Sequence, residues 1–260
     1  MSAPTAFVPS PMPLSRVAGI YLAEAKYESL RMLRTPAFAV PFLLIPAALY
    51  TLFGSMAGQS ESAQAQNIPT VLYTGFTVFG CMGPALFGFG MSLALEREQG
   101  VLKLKRAMPM PAPAYLAAKM VMAMLFAAVA AGSVAMAASM QGRVAIGAVR
   151  MLGVIALAVI GTIPFASMGL CIGSRVSGRA APAIVNVAYL AMIYLSGLFI
   201  PLPPSIRWIA LFSPAFHLNQ LCHAMAGIGS ILTQTMHVAA LVGVSVLFAG
   251  LTIRRLTREG

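Results

Sequence analysis

Aspartate is absent from this 260-residue chain, and all six acidic residues are glutamate: Glu24, Glu28, Glu61, Glu96, Glu98 and Glu259. There is no Gly-Lys dipeptide, so no GxxxxGK[ST] loop exists to cradle phosphates, and without aspartate the usual carboxylate that holds magnesium beside a nucleotide is missing too. Hydrolysis of ATP by that route is excluded. No GxSxG is present, and Ser196-Gly197 has no histidine beside it in the predicted membrane core, because His217, His223 and His237 fall in or near an external region. Intramembrane hydrolysis is thereby disfavoured. Cys81, Cys171 and Cys222 are scattered, with no CxxC motif, and read as small buried apolar side chains. The spacing of His217, Cys222 and His223 matches no standard metal site, and the 18 methionines read as helix filler.

Charge of either sign is also scarce. Charged residues make up 9% of the chain and apolar residues 59%, with mean hydropathy +0.86, whereas soluble domains run near 25% and 45 to 50%. Residues 62–95, 120–142, 151–174 and 208–253 contain no Lys, Arg, Asp or Glu. Runs of this length without charge define an all-α integral membrane protein, since barrel strands would show ten-residue alternating segments instead. The same runs disfavour an ion-driven carrier, which usually places ionisable groups near the bilayer midplane.

The charges that do occur sit at the ends of these runs. Arg16, Lys26, Arg31, Arg34, Arg97, Lys103, Lys105, Arg106, Lys119, Arg175, Arg179, Arg254, Arg255 and Arg258 collect on one side, and Arg143, Arg150 and Arg207 on the other. Fourteen against three puts the first set, and both termini, in the cytoplasm by the positive-inside rule. The net charge of +11 thus points to anionic lipid headgroups, not nucleic acid.

Taken in order, residues 1–14 lack the basic start and apolar stretch of a cleavable signal peptide and read as a disordered cytoplasmic tail. Residues 15–258 read as one transmembrane domain. From Ser15 to Arg34 the pattern predicts an amphipathic interfacial helix, with Val17, Ile20, Tyr21, Ala25, Leu30 and Leu33 on one side and Lys26, Glu28, Arg31 and Arg34 on the other. Six spans follow, at about 37–55, 70–95, 114–140, 151–174, 181–200 and 231–253. Pro41 and Pro46 predict kinks in the first, whose freed carbonyls need partners from neighbouring helices or water. Gly75, Gly80, Gly83, Gly88 and Gly90 in the second, Ala127, Ala131 and Ala135 in the third, and the Gly169-Leu-Cys-Ile-Gly173 step in the fourth predict close packing, the last within the chain. A polar external loop covers Gln59 to Asn67. Pro201 to Gly227, broken by prolines and carrying the single tryptophan, Trp208, predicts a re-entrant external helical segment.

The stretch Leu95 to Lys119 stands apart. Glu96-Arg97-Glu98 arrives after more than thirty uncharged residues; three charges together belong at or beyond the interface, since each costs roughly 2.5 to 3.5 kcal/mol at a span centre. The sequence Glu96-Arg97-Glu98-Gln99-Gly100, followed by Pro109 and by Tyr115 to Lys119, resembles the ERExGTLE...P...Y...K signature of type-2 ABC transporter permeases, the membrane subunits of ABC exporters. The Arg34-Thr-Pro36 entry to the first span and the Pro201 to Pro214 region are similar as well, so the resemblance runs from about Leu14 to Arg258. Val101 stands where the family has threonine, and Lys103 where an acidic residue often follows, which makes this loop unusually basic.

The resemblance implies the transmembrane subunit of an exporter for an amphiphilic or hydrophobic substrate (drug, lipid or glycolipid). It would work as a homodimer or heterodimer in a bacterial cytoplasmic (inner) membrane, docked on a separate cytoplasmic ATPase subunit that binds ATP and Mg; the chain itself would bind no cofactor. Glu96, Arg97, Glu98, Gln99, Gly100, Leu102, Lys103, Lys105 and Arg106 would couple to that ATPase, through a short helix whose apolar anchors are Leu102, Leu104 and Met108. Tyr50, Thr74, Thr77, Asn186, Tyr189 and Tyr194, on spans one, two and five, are the candidate lining of a substrate pathway at the dimer centre. An ATP-independent carrier or channel is the alternative.

Overall fold

The structure, a computed structural model, describes residues 13–57, 67–108, 110–198, 203, 205 and 207–258. The predicted tail to residue 12, most of the 59–67 loop, and Glu61, Pro109, Pro201 and Pro204 lie outside the described residues, as do the side chains of Arg106, Arg207 and Arg258. Helices alone make up the regular structure among the described residues. They are α1 (Leu14–Leu33), α2 (Pro36–Ala57), α3 (Ile68–Glu98), α4 (Val101–Ala107), α5 (Ala112–Gln141), α6 (Ala148–Ile160), α7 (Thr162–Gly173), α8 (Ala181–Leu195), α9 (Arg207–Ala210), α10 (Pro214–Ala226) and α11 (Gln234–Arg258).

Among the described residues, five helical segments are long and apolar enough to cross a bilayer: α2, α3, most of α5, α6 and α7 taken together, and the greater part of α11. This is a multi-pass, all-helical membrane protein. The fourth predicted span is broken at Gly161, which ends α6 and begins α7. A side chain at that position would collide with Leu218 of α10. The fifth predicted span is shorter than the 181–200 expected, because α8 stops at Leu195 and the chain turns through Gly197 at φ 64°. Its 15 residues rise about 22 Å, against about 30 Å of hydrocarbon.

Helix α3 is the centre of the bundle. It is buried on most sides, with α2, α5, α7 and α8 packed around it, while α11 stands at the periphery with little of its surface covered. The glycines explain how α3 and α7 come so close. A Cβ at Gly173 would lie 2.6 Å from Gly90 O, and one at Gly169 would lie 2.9 Å from Leu86 O, so backbone meets backbone and the glycine step packs inside the chain. Ala127, Ala131 and Ala135 of α5 are likewise buried in the core.

At the far end from α4, side chains replace missing backbone partners. Arg143 donates to the carbonyls of Gly54 and Ser55 at 3.1 and 2.9 Å, and Gln141 donates to Thr51 O at 2.8 Å, closing the C-terminal turn of α2. Within α2, the Ser133 hydroxyl of α5, shared with Ala130 O, reaches Leu43 O at 3.1 Å beside the carbonyl that Pro46 leaves unpaired.

Because Gly173 faces backbone and not a movable side chain, Gly173→Ala has to separate α3 from α7. Overpacking of this kind costs about 1 to 3 kcal/mol. A thermal-unfolding scan of the purified chain in detergent should show a clear drop in midpoint, and Gly243→Ala, on α11 with open space around it, should show none.

Candidate coupling site

Four charged side chains meet where α1, α3 and α5 converge next to α4. Lys119, about two turns into α5, is fully buried, and Glu28 of α1 and Glu96 of α3 are only 5% and 4% exposed. Lys119 Nζ donates to Glu28 Oε1 at 2.7 Å, to Glu96 Oε1 at 3.1 Å and to Ser92 Oγ at 2.7 Å. Arg31, half-exposed, bridges the same two carboxylates, with Nη2 at 2.9 Å from Glu28 Oε1 and 2.5 Å from Glu96 Oε1. The Tyr115 hydroxyl donates to the other Glu96 oxygen, and its ring lies under two ammonium groups, 5.1 Å from Lys119 Nζ and 4.7 Å from Lys105 Nζ.

Two carboxylates against two cations make the cluster neutral as a whole. That balance is what allows it to be buried. Taking an isolated ammonium out of water costs several kcal/mol, which is returned only when opposite charges and hydrogen bonds surround it. At Arg31 burial works against the charged form, but the neighbouring Glu28 and Glu96 outweigh it and raise the guanidinium further above its ordinary value, so it stays cationic across the accessible pH range.

Around this core the remaining loop residues divide into inward and outward sets. Lys105 turns back to pair with Glu24 of α1. Arg97 Nη1 donates to Gly173 O at 2.9 Å, at the end of α7, and Glu98 Oε1 accepts from the Gly178 N–H at 2.7 Å. Gln99 ends α3, and Gly100, at φ 73°, makes the left-handed turn into α4 that a side chain would strain. Leu102 is half-buried. Lys103, Leu104 (67% exposed) and Met108 project outward, so α4 presents a mixed apolar and basic face beyond the bundle.

Two sequence expectations change here. The polar side of α1 expected from the sequence includes Glu28 and the apolar side Leu33, yet Glu28 and Met32 form its buried face, and Leu22, Tyr27 and Leu33 point outward. The amphipathic pattern is thus turned, because a carboxylate with partners on α5 is better placed inward than an apolar side chain that the lipid can accept. Lys105, expected as an outward contact, faces inward. No signal in the sequence tied Glu28 to Lys119, because ninety-one positions separate them.

The six candidate pathway residues divide between the core, where Tyr50, Thr74, Thr77 and Tyr189 are buried, and the outer face of α8. Tyr50 is fully buried, its hydroxyl without a hydrogen-bond partner among the described residues. Thr74 and Thr77 are buried and bond back to Val71 O and Tyr73 O at 2.8 and 2.7 Å. Tyr189 is buried among Phe79 and Phe87. Asn186 and Tyr194 lie on the outer face of α8, the latter 70% exposed, beside Val187 and Leu190. Five residues of helix turn the chain about 140° between Tyr189 and Tyr194, so both cannot share a face. At the opposite end, His217 Nδ1 and His237 Nδ1 lie 2.8 Å apart, with His217 Nε2 on Leu211 O. Among the described residues no group of three or more His, Cys, Asp or Glu could hold a metal ion.

These features define a polytopic helical membrane protein with a neutral ion cluster at the root of an exposed amphipathic loop, and comparison with known proteins gives its class. Residues 21–225 match the family model described as ABC-2 type transporter. The chain belongs to that family and is of the class that forms the transmembrane component of an ABC transporter. It is also similar to the "Putative transport permease YvfS" of Bacillus subtilis (strain 168), at 24% identity over 193 residues, 73% of this chain and 78% of that protein.

Lys119→Met leaves two buried carboxylates facing one cation, and breaking a buried pair in this way costs about 3 to 5 kcal/mol. The combined variant Glu28→Gln, Lys119→Met restores neutrality. Thermal unfolding of the single and double variants should give a double-mutant cycle in which the pair recovers most of the loss; additive losses would mean that the two side chains do not interact.

Proposed function

We propose that this chain is the membrane half of an ATP-driven exporter, with the ATP and Mg on a separate cytoplasmic subunit. The observation that carries the proposal is the neutral cluster joining α1, α3 and α5 directly behind the exposed face of α4. Any push on α4 or α1 is passed to α3, the central helix, since the buried charges cannot separate without losing their partners. Lys103, Leu104 and Met108 are the groups that would enter a groove on the ATPase. Glu96 acts from within the bundle and not at the subunit contact, while Glu98 holds the α7–α8 turn to α3.

The arginine-rich end, where α4 lies, is the cytoplasmic one in this reading, following the charge asymmetry. Two such chains, identical or similar, would enclose the substrate path. The outer face of α8, with Asn186 and Tyr194 among aliphatic side chains, supports an amphiphilic or aromatic substrate, which an apolar surface with few polar points would bind better than an ion.

Affinity purification from the native membrane tests this directly. A subunit bearing a phosphate-binding loop should co-purify in stoichiometric amount. Leu104→Glu should lower its retention at least tenfold and abolish substrate-stimulated ATP hydrolysis, with the unfolding midpoint unchanged. A chain that purifies alone under several mild detergents, and transports equally without ATP, would make it an independent carrier.

A further inference from the structure

A cleft of about 330 Å³ lies between α5, α7 and α11, with α3 behind it. Met120, Leu170, Val246 and Ala249 line it and Phe89 backs it. Its two wall hydroxyls, Ser167 and Ser245, already donate to Pro164 O and Leu241 O at 2.7 and 2.8 Å. The wall therefore offers no spare hydroxyl proton, and its remaining lining is apolar side chains, which suits hydrocarbon better than water. Val246 and Ile163 are exposed at the edge, so the cleft is open toward the lipid.

Its position along the bundle adds a second, independent feature. Leu170 precedes Arg175 by five residues and Ala249 precedes Arg254 by five, about 7 Å along a helix axis. The cleft thus occupies the leaflet next to the arginine-rich end, whichever side of the membrane that is. Arg175, exposed, lies just beyond this lining at the arginine-rich end: Nη1 donates to Cys171 O at 3.0 Å and Nη2 to Leu251 O at 2.8 Å, tying α7 to α11 one or two residues past Leu170 and Ala249. These acceptors, and the Cys171 Sγ and Ser174 Oγ that Nη1 also meets, are all neutral. Among the described residues no carboxylate lies within ion-pair distance of Arg175, and Glu98, the acidic group at the end of α3, is engaged with Gly178. Arg97 and Arg179 stand at the same end, on α3 and on the turn after α7.

We propose that this cleft is a binding site for one anionic phospholipid, an acyl chain lying along α7 and α11 and the headgroup phosphate meeting Arg175. The apolar wall selects hydrocarbon, and the uncompensated guanidinium just beyond it selects a negative headgroup over a zwitterionic one. The lipid would be a resident ligand holding α11, the least covered of the five long apolar segments, against the bundle. This inference rests on the membrane embedding alone and is independent of the coupling role and of substrate identity.

Native mass spectrometry of the full chain, titrated with phosphatidylglycerol and with phosphatidylcholine of identical acyl chains, reads the site directly. The unmodified chain should retain one phosphatidylglycerol in preference to phosphatidylcholine. Arg175→Gln should cut phosphatidylglycerol retention about fivefold, the effect of one basic contact, and leave phosphatidylcholine unchanged. Ala249→Phe, which fills the cleft, should lower both. Arg16→Gln, on α1 away from the cleft, should lower neither. Should Arg175→Gln lose its fold with the α7–α11 tie, Arg175→Lys keeps the charge and should keep the preference. Equal retention of the two lipids by the unmodified chain overturns the proposal. So does a folded Ala249→Phe variant that binds normally, because binding would then involve the headgroup without the cleft.

Discussion

The charge of Lys119 is the constraint on which this structure depends. It lies at a depth where an unpaired ammonium could not be held, and three helices supply what it lacks: Glu28 from α1, and Ser92 and Glu96 from α3, with the ring of Tyr115 from its own helix. A hydrophobic contact tolerates sliding, since one methyl serves as well as another. A buried ion cluster does not, because each displacement leaves a desolvated charge without a partner. The helix lying outside the spans is in this way registered against the second and third of them.

Two kinds of contact then divide the work. Along the bundle, glycine and alanine bring α3, α5 and α7 together at backbone distance, where dispersion acts over many atoms and lipid could not intrude. At the ends, arginine and glutamine side chains settle the carbonyls and amides that helices leave open: Arg143 and Gln141 on α2, Arg97 on α7, Arg175 on α7 and α11. The packing makes the bundle rigid, and the polar ends give it places from which it can be moved. A short helix such as α4, set on a left-handed Gly100 and backed by the cluster, is one such place.

The periphery follows a different rule. Helix α11 turns Val238, Val242, Val246 and Ile253 outward, and α8 exposes Val187, Leu190 and Tyr194. In water such faces would demand a cover. In a bilayer the hydrocarbon itself covers them, and what distinguishes one face from another is the polar group at its edge, Arg175 beside α11 and Asn186 on α8.

Most of the architecture was legible in the amino-acid order, because the cost of placing charge in hydrocarbon is large and local. Charge-free runs marked the spans, Glu96-Arg97-Glu98 marked an exit, and Gly169 and Gly173 marked a close approach. Tertiary structure decided the rest. Which face of α1 turns inward depended on Lys119, ninety-one residues beyond Glu28, and periodicity along one helix carries no information about a partner on another. The length of α8 depended on a turn at Gly197, and which of Tyr189 and Tyr194 turns inward depended on the aromatic rings of α3. Local hydropathy determines where a chain enters the membrane; pairing of buried charges, a non-local balance, determines how its helices are locked to one another.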